Sequence, residues 1–455
     1  MLSVSSLLPS LFLDRMRSLL GAEFPHFVEA LDRPADGLRV NSLRLSAADF
    51  EQLSPFPLQP SPFPLSAYLL NELQAPGRHP YHAAGLFYLQ DPGAMVVGAL
   101  VDPQPGDRVL DLCAAPGGKT THLAGLMQGG GILVANDVNG ARARELVGNV
   151  ERCGVRNAIV MSESPLRLSQ SFGAWFDRVL VDAPCSGESM FHKSASARAD
   201  WSPSAVTGCA RRQDDLLETA SQLVAPGGRL VYSTCTFSRE ENEEVVERFL
   251  RRNGGFRPEA LLEIEAGQAL TFGGVSRSGY RLWPHHFPGA GHFVAALRRE
   301  DGVREERPAS RLAPLDRTAL EHLETFLDGT LPDPALPSDR LHGIGQHVYL
   351  LPEESPETKS LRVLRSGLLL GTLERGRFEP AHALALAAPL PNFARRVSLE
   401  VGDRRVEEYL AGHPIEGEGP PGWLPVTVDG FALGWGKRVG RTIKNHYPKG
   451  LRQRG

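Results

Sequence analysis

The sequence predicts an α/β protein: a mostly parallel sheet with covering helices, a small N-terminal module before it and smaller modules after it. Three observations carry that reading. Between residues 86 and 298, apolar β-branched runs alternate with helix-spaced patterns, as crossovers between parallel strands require. Beyond residue 315 the pattern changes to short strands separated by glycine turns. A length of 455 residues exceeds one typical domain.

Residues 11–31 carry apolar positions at helical spacing (Leu13, Met16, Leu19, Leu20, Phe27, Val28, Leu31), and Leu38 to Leu43 reads as a strand. Ser54 to Leu65 holds five prolines and reads as a loop. Together these predict an N-terminal module over residues 1–85. In the main domain, residues 86–298, strands are expected at Arg108–Leu112, Ile132–Ala135, Ala158–Met161, Arg178–Val181, Arg229–Tyr232 and Phe293–Leu297. A helix over 203–225 places Leu216, Ala220, Leu223 and Val224 on one face and ends at Pro226-Gly227-Gly228. A helix over 239–252 opens on a capping box of Ser238 and Glu241. Residues 299–314, charged and proline-bearing, read as a linker to an intermediate module over 315–390. The cluster Pro389-Leu-Pro391 marks the start of a last module, 391–455.

Composition excludes some classes. The apolar fraction of 42% suits a real core, and a net charge of -4 argues against wholesale adsorption to nucleic acid while permitting local basic patches. The five cysteines show neither a pairing pattern nor metal-type spacing, so a reduced, cytoplasmic setting and no metal are expected. The apolar Leu2 to Leu13 lacks a basic leader, contains Pro9 and runs into Asp14 and Arg15, unlike a secretory signal. No run approaches 18 uninterrupted apolar residues, so no membrane span is expected.

The first strand leads into Asp111-Leu-Cys-Ala-Ala-Pro-Gly-Gly-Lys-Thr-Thr121 and then a helical pattern. Gly117 and Gly118 permit close backbone approach, and the helix start offers free N–H groups to a carboxylate. This is neither G-x-G-x-x-G nor a P-loop; by glycine content alone it is equally a tight βα turn. Asp137 ends the next strand, about 20 positions after the glycines, where an acidic residue suits ribose hydroxyls or caps a helix. Loop and Asp137 together favour nucleoside binding. Cys185 in Asp182-Ala-Pro-Cys-Ser-Gly187 and Cys235 in Tyr232-Ser-Thr-Cys-Thr-Phe237 each follow a strand, at the sheet end that faces the substrate crevice. Two thiols there suggest covalent catalysis, one attacking and the other assisting release. Cys113, Cys153 and Cys209 read as small buried hydrophobes.

These motifs, with Gln90-Asp-Pro-Gly-Ala-Met95, Arg281-Leu-Trp-Pro-His285 and Gly291-His-Phe293, resemble those of the Sun-type RNA cytosine-5 methyltransferases, in particular the RsmF type that acts on small-subunit rRNA. The resemblance spans nearly the whole chain. It implies a Rossmann-like catalytic domain and S-adenosylmethionine (SAM) as methyl donor, with Cys113, Ala114, Ala115, Pro116, Gly117, Gly118 and Lys119 around its amino-acid end and Asp137 at its ribose. Asp182 would border both donor and base, Cys235 would be the nucleophile and Cys185 would aid release. Lys119 is the expected cation that ionises Cys235, because a free thiol is only a few per cent ionised at neutral pH. The usual adenine-side Asp has no counterpart in Met161-Ser-Glu-Ser-Pro165; Glu163 or Ser164 stands there. The loop Gly187-Glu-Ser-Met-Phe-His-Lys193 departs from the family's Gly-Glu-Gly-Met-Phe-Arg-Lys.

Residues 430–455 hold Lys437, Arg438, Arg441, Lys444, Lys449, Arg452 and Arg454 and no acidic residue, with Phe431, Trp435 and Tyr447 interleaved. Phosphate contact and base stacking would follow, although charge alone equally describes a solvated tail. The segment resembles the PUA-like module that ends RsmF-type enzymes. The reading is therefore a monomeric rRNA cytosine-5 methyltransferase, its substrate presented as RNA or as part of the small ribosomal subunit. The alternatives are a tRNA cytosine-5 methyltransferase with the same site, or a catalytically silent RNA-binding protein of ribosome assembly.

Overall fold

The computed structural model describes residues 7–32, 34–63, 66–70, 75–264, 267–305, 310, 312–332 and 336–453. The start of the Leu2–Leu13 run, Pro64 and Leu65 of the proline loop, part of the 299–314 linker and Arg454 lie outside these residues.

A ten-stranded sheet forms the centre. Its strands are β1 (Arg108–Asp111), β2 (Ile132–Asn136), β3 (Ala158–Met161), β4 (Phe176–Asp182), β5 (Val224–Thr234), β6 (Phe256–Pro258), β7 (Gln268–Phe272), β8 (Val275–Leu282), β9 (His292–Arg299) and β10 (Val363–Ser366). The order is β7-β8-β9-β5-β4-β1-β2-β3-β10, with β6 pairing β9. The middle five strands run parallel and the additions at both edges antiparallel. The order of strands reverses between β1 and β4, successive strands stepping to one side after β1 and to the other after β4, so the loops after β1 and β4 open a crevice at their C-terminal ends. The strands are apolar on both faces because helices cover both: Leu110, Val134 and Val179 point into one cluster, Val109, Leu133 and Leu180 into the other.

Helices Ser10–Leu20 and Phe24–Asp32, joined by the turn Gly21–Glu23, pack on the catalytic domain, where Phe12 and Phe27 meet Phe191, Trp201, Phe237 and Trp283. A four-stranded sheet follows, which Phe87–Leu89 completes just past residue 85. That sheet shares its core with the last module: Leu38, Phe50 and Phe87 cluster with Tyr409, Leu424 and Leu433. Strand β10, from the intermediate region, pairs with β3 and closes that edge of the central sheet.

Three sequence expectations are corrected. The helix predicted over 203–225 ends at Ser221, and Val224 begins β5. Leu223, Val224 and Ala225 are fully buried, and the register shift beside Phe176 accommodates Pro226-Gly227-Gly228 inside the strand. The helix predicted from 239 starts at Glu243 behind Asn242, which makes no side-chain cap; Ser238 and Glu241 are engaged by the neighbouring cysteine loop instead. Trp435 and Tyr447 are not stacking platforms. Trp435 is 1% exposed, donates to the Ala381 carbonyl and meets Phe326 and Phe393, while Tyr447 packs on Tyr409 and His382. The strand that carries Trp435 is covered on both sides, by the intermediate region and the N-terminal sheet.

Candidate active site

The two cysteines meet. Cys185, in the loop after β4, and Cys235, just past β5, lie with sulfurs 3.4 Å apart, although 50 residues separate them. The parallel pairing that sets Asp182 opposite Ser233 brings the loops together. Asp182, last residue of β4, accepts from Lys119 Nζ at 2.7 Å and from Ser233 Oγ at 2.8 Å, with His292 Nε2 at 3.7 Å from Oδ1. Burial works to raise its carboxyl, but the Lys119 ammonium and His292 hold it well below the usual carboxylate range. Lys119 stays charged for the reciprocal reason, Asp182 outweighing burial.

The sulfurs are inequivalent. Cys235 is lowered below an ordinary thiol, chiefly by the hydrogen bond from Cys185 and further by Lys119, against burial and the Asp182 charge. Cys185 is raised well above, by its bond to Cys235, by burial and by the charges of Cys235 and Glu241. The expected Lys119 effect is thus present, but the ammonium is bonded to Asp182 and the larger contribution comes from the second cysteine.

Two glutamates lock the loops, Glu188, which sequence reading did not single out, and Glu241, which it read as half of a capping box. Glu188, from the Cys185 loop, is fully buried and accepts from Phe237 N (2.7 Å) and Ser238 Oγ (2.7 Å) of the Cys235 loop and from Trp201 Nε1 (2.9 Å). Glu241, from beyond Cys235, is equally buried and accepts from Ser186 N (3.0 Å), Ser186 Oγ (2.5 Å) and Gln213 Nε2 (2.8 Å). Each motif sends one carboxylate into the other. Arg281 completes the frame, donating to the Phe237 carbonyl and to both Glu243 oxygens.

Beside Asp182 lies a cavity of about 220 Å³ lined by Tyr88, Gln90, Asp111, Cys113, Ala114, Ala115, Pro116, Gly118 and Lys119 among others. Gly117, at φ 113°, caps the helix Gly118–Leu126, and a Cβ on Gly118 would come within 3.2 Å of Tyr88 and Gln90. Arg142 and Asn149 anchor the loop through the Ala115 and Pro116 carbonyls. Asp111 is fully buried; Thr120 satisfies Oδ2 at 2.7 Å, Oδ1 has no partner, and burial pushes its carboxyl up to about 7. Asp137 follows β2 and accepts from Asn139 N at 2.9 Å, with Arg142 at 3.5 Å; it and Gly117 are not among the residues lining this cavity. Glu163 accepts from Arg362 N at 2.7 Å and pairs with Arg167, while Ser164 caps the following helix. Both are held by structural partners. Cys153 and Cys209 are buried as expected, whereas Cys113 is half-buried at the cavity wall.

Comparison with known proteins agrees along the whole chain. Residues 98–298 match the model of the 16S rRNA methyltransferase RsmB/F family. Residues 8–92, 325–387 and 396–453 match the N-terminal domain, first C-terminal domain and PUA domain of 16S rRNA methyltransferase RsmF. Ribosomal RNA small subunit methyltransferase F of Vibrio atlanticus is 33% identical over 98% of this chain and 97% of its own length, and that of Serratia proteamaculans is 32% identical over 98% and 96%. Among solved structures, a methyltransferase homologue from Pyrococcus horikoshii is 32% identical with a TM-score of 0.56, covering 65% of this chain and 97% of its own. NSun6 from the same organism, solved with SFG, has a TM-score of 0.57 at 22% identity over 65% of this chain and 99% of its own, a likeness of fold. With matching architecture and full-length similarity to such relatives, the chain belongs to the ribosomal RNA small subunit methyltransferase F family.

Proposed function

We propose that this protein transfers a methyl group from SAM to carbon 5 of a cytosine in 16S rRNA, through a covalent bond between Cys235 and the base. One observation carries the reading: two thiols 3.4 Å apart, beside an ionised Asp182 that also borders the loop cavity. The cavity suits the donor. The unpartnered Asp111 Oδ1 offers an anionic contact to an ammonium, the start of the helix Gly118–Leu126 offers N–H groups to a carboxylate, and Asp137 is assigned to the ribose. SAM, when bound, supplies an electrophilic methyl group on a sulfonium.

The chain's own residues do the rest. Cys235 thiolate adds to cytosine carbon 6, forming a carbon–sulfur bond and pushing the ring electrons towards carbon 5. Asp182, held as an anion, accepts from the amino edge and from the ring nitrogen once that nitrogen has taken a proton from solvent, favouring the cationic base that draws those electrons; the same proton returns to solvent when the ring is restored. Once the new carbon–carbon bond exists and the Cys185 thiol has released its own proton to solvent, the carbon 5 proton passes to the Cys185 thiolate. Its bonding pair re-forms the 5,6 double bond, and Cys235 leaves as thiolate. The opposed shifts of the two thiols give this order. Attack by Cys235 consumes the charge and hydrogen bond that hold Cys185 protonated, so the Cys185 thiol then gives up its own proton and is present as thiolate when the carbon 5 proton must be removed.

RNA is assigned to the N-terminal module (residues 1–85) and the PUA-like module (391–455), with the intermediate module (315–390) between them. Exposed Arg441, Lys444 and Lys449 face solvent there, and half-buried Trp423, with Lys437 5.0 Å from its ring, replaces Trp435 as the aromatic for base contact. The test combines the purified enzyme with methyl-labelled SAM and total RNA from a strain lacking the gene. Label at cytosine carbon 5 of 16S rRNA, none with Cys235→Ala, and a denaturation-resistant RNA adduct with Cys185→Ala are expected. Label confined to tRNA overturns the substrate; active Cys235→Ala and Cys185→Ala enzymes without adduct overturn the mechanism.

A further inference from the structure

We propose that Glu23, His285 and His286 form a binding site for a divalent transition-metal cation such as zinc, which fastens the N-terminal helical arm to the catalytic domain. His285 Nε2 lies 3.0 Å and His286 Nε2 3.4 Å from the same carboxylate oxygen, Glu23 Oε2, and the three atoms all lie within 4.8 Å of one another. Ligands bound 2.0–2.2 Å from a tetrahedral ion stand about 3.3 Å apart, close to the two carboxylate–imidazole distances. The two imidazole rings, their centroids 4.1 Å apart, thus both bring a nitrogen to one carboxylate oxygen. A cation would take one lone pair from each of the three groups.

The ligands suit the role individually. His285 is nearly enclosed, its side chain 4% exposed and its ring between Phe27 (5.9 Å) and Trp283 (6.1 Å), so its direction is preset. Glu23 and His286 are exposed at the rim of a cavity of about 400 Å³, which gives an ion its path. Arg281, in the wall of that cavity, is neutralised by Glu243. Two imidazoles, one carboxylate and an open fourth position match zinc's donor preferences. The spacing in sequence conceals the site, because Glu23 and His285 are 262 positions apart.

The location gives the site its purpose. Glu23 ends the turn between the two N-terminal helices, whose Phe27 packs edge-on against Phe237, itself stacked on Trp283. Phe237 is two residues past Cys235. An ion here ties the arm over the loop that carries the nucleophile, without touching the reacting groups.

The experiment uses full-length, untagged protein stripped with a chelator and dialysed against micromolar zinc. Wild type and a Cys185→Ser/Cys235→Ser double variant are expected to hold a single zinc per chain. Glu23→Ala and His286→Ala, both at exposed positions, lose more than about tenfold in affinity, the loss that removal of a mere supporting partner already causes. Zinc raises the thermal midpoint of wild type but not of His286→Ala, and the unfolding transitions of the stripped proteins report whether each variant folds. No zinc on the wild type, or uptake that survives His286→Ala and vanishes with the cysteines, overturns the proposal.

Discussion

Cys235 and Lys119 set the first prediction at the scale of single residues. The ammonium favours the thiolate, and without it the hydrogen bond from Cys185 is left to offset burial and the Asp182 charge. Lys119→Gln therefore moves the acid limb of the kcat profile to higher pH, while Cys235→Ala removes activity altogether; single-turnover rates between pH 6 and 9 check both. Asp111 predicts a second dependence. Its carboxyl, raised to about 7 by burial, must ionise to meet an ammonium, so donor affinity rises as pH climbs towards 7 and then levels off. Binding near pH 6 releases a proton, which calorimetry in buffers of different ionisation enthalpy detects; Asp111→Asn loses both effects. Cys185, Cys235, Asp182 and the 113–119 loop were legible because each residue sits in a distinctive local string. Glu188 and Glu241 were not. A carboxylate in a loop reads as solvated, and only the neighbouring strands bring its buried donors into reach.

At the scale of elements, the pair of cysteine loops behaves as one unit. Removing Glu188 leaves Phe237 N, Ser238 Oγ and Trp201 Nε1 buried without an acceptor. Glu188→Ala should therefore cost about 3 kcal/mol or more in urea unfolding and displace Cys235 relative to Cys185. Glu188→Gln, which keeps one acceptor oxygen, is expected to recover part of both. Strand positions were readable from β-branched apolar runs: the six strands expected in the main domain lie within observed ones or overrun an end by one residue, while the one expected at Leu38–Leu43 overruns Asp36–Val40 by three. Helix ends read less well: the Ser238–Glu241 signature matched a capping box by type, yet both side chains had stronger partners across the fold.

At the scale of the whole molecule, the N-terminal sheet shares a core with the last module and the intermediate module shares another with it, while Leu361 and Val363 beside and on β10 join the core of the central sheet. Composition suggested separable modules because clusters between distant segments leave no local periodicity. Of the basic C-terminal residues Arg441, Lys444 and Lys449 are exposed but Arg438 is buried and donates to the Pro420 carbonyl, and the aromatics were read wrongly, since a strand covered on both sides offers no free ring. Trp435→Ala should consequently destabilise the protein by about 3–5 kcal/mol, whereas Trp423→Ala should leave stability nearly unchanged and weaken RNA binding. Thermal melts and filter binding distinguish the two. The strand β10 has a consequence in time. During synthesis the edge of β3 leaves the ribosome about 200 residues before its partner, on the order of 10–40 s at 5–20 residues per second. Throughout that interval a fully apolar strand presents open N–H and C=O groups to other chains. A nascent polypeptide of this family thus has a window in which a chaperone, rather than its own later sequence, must cover Ala158–Met161.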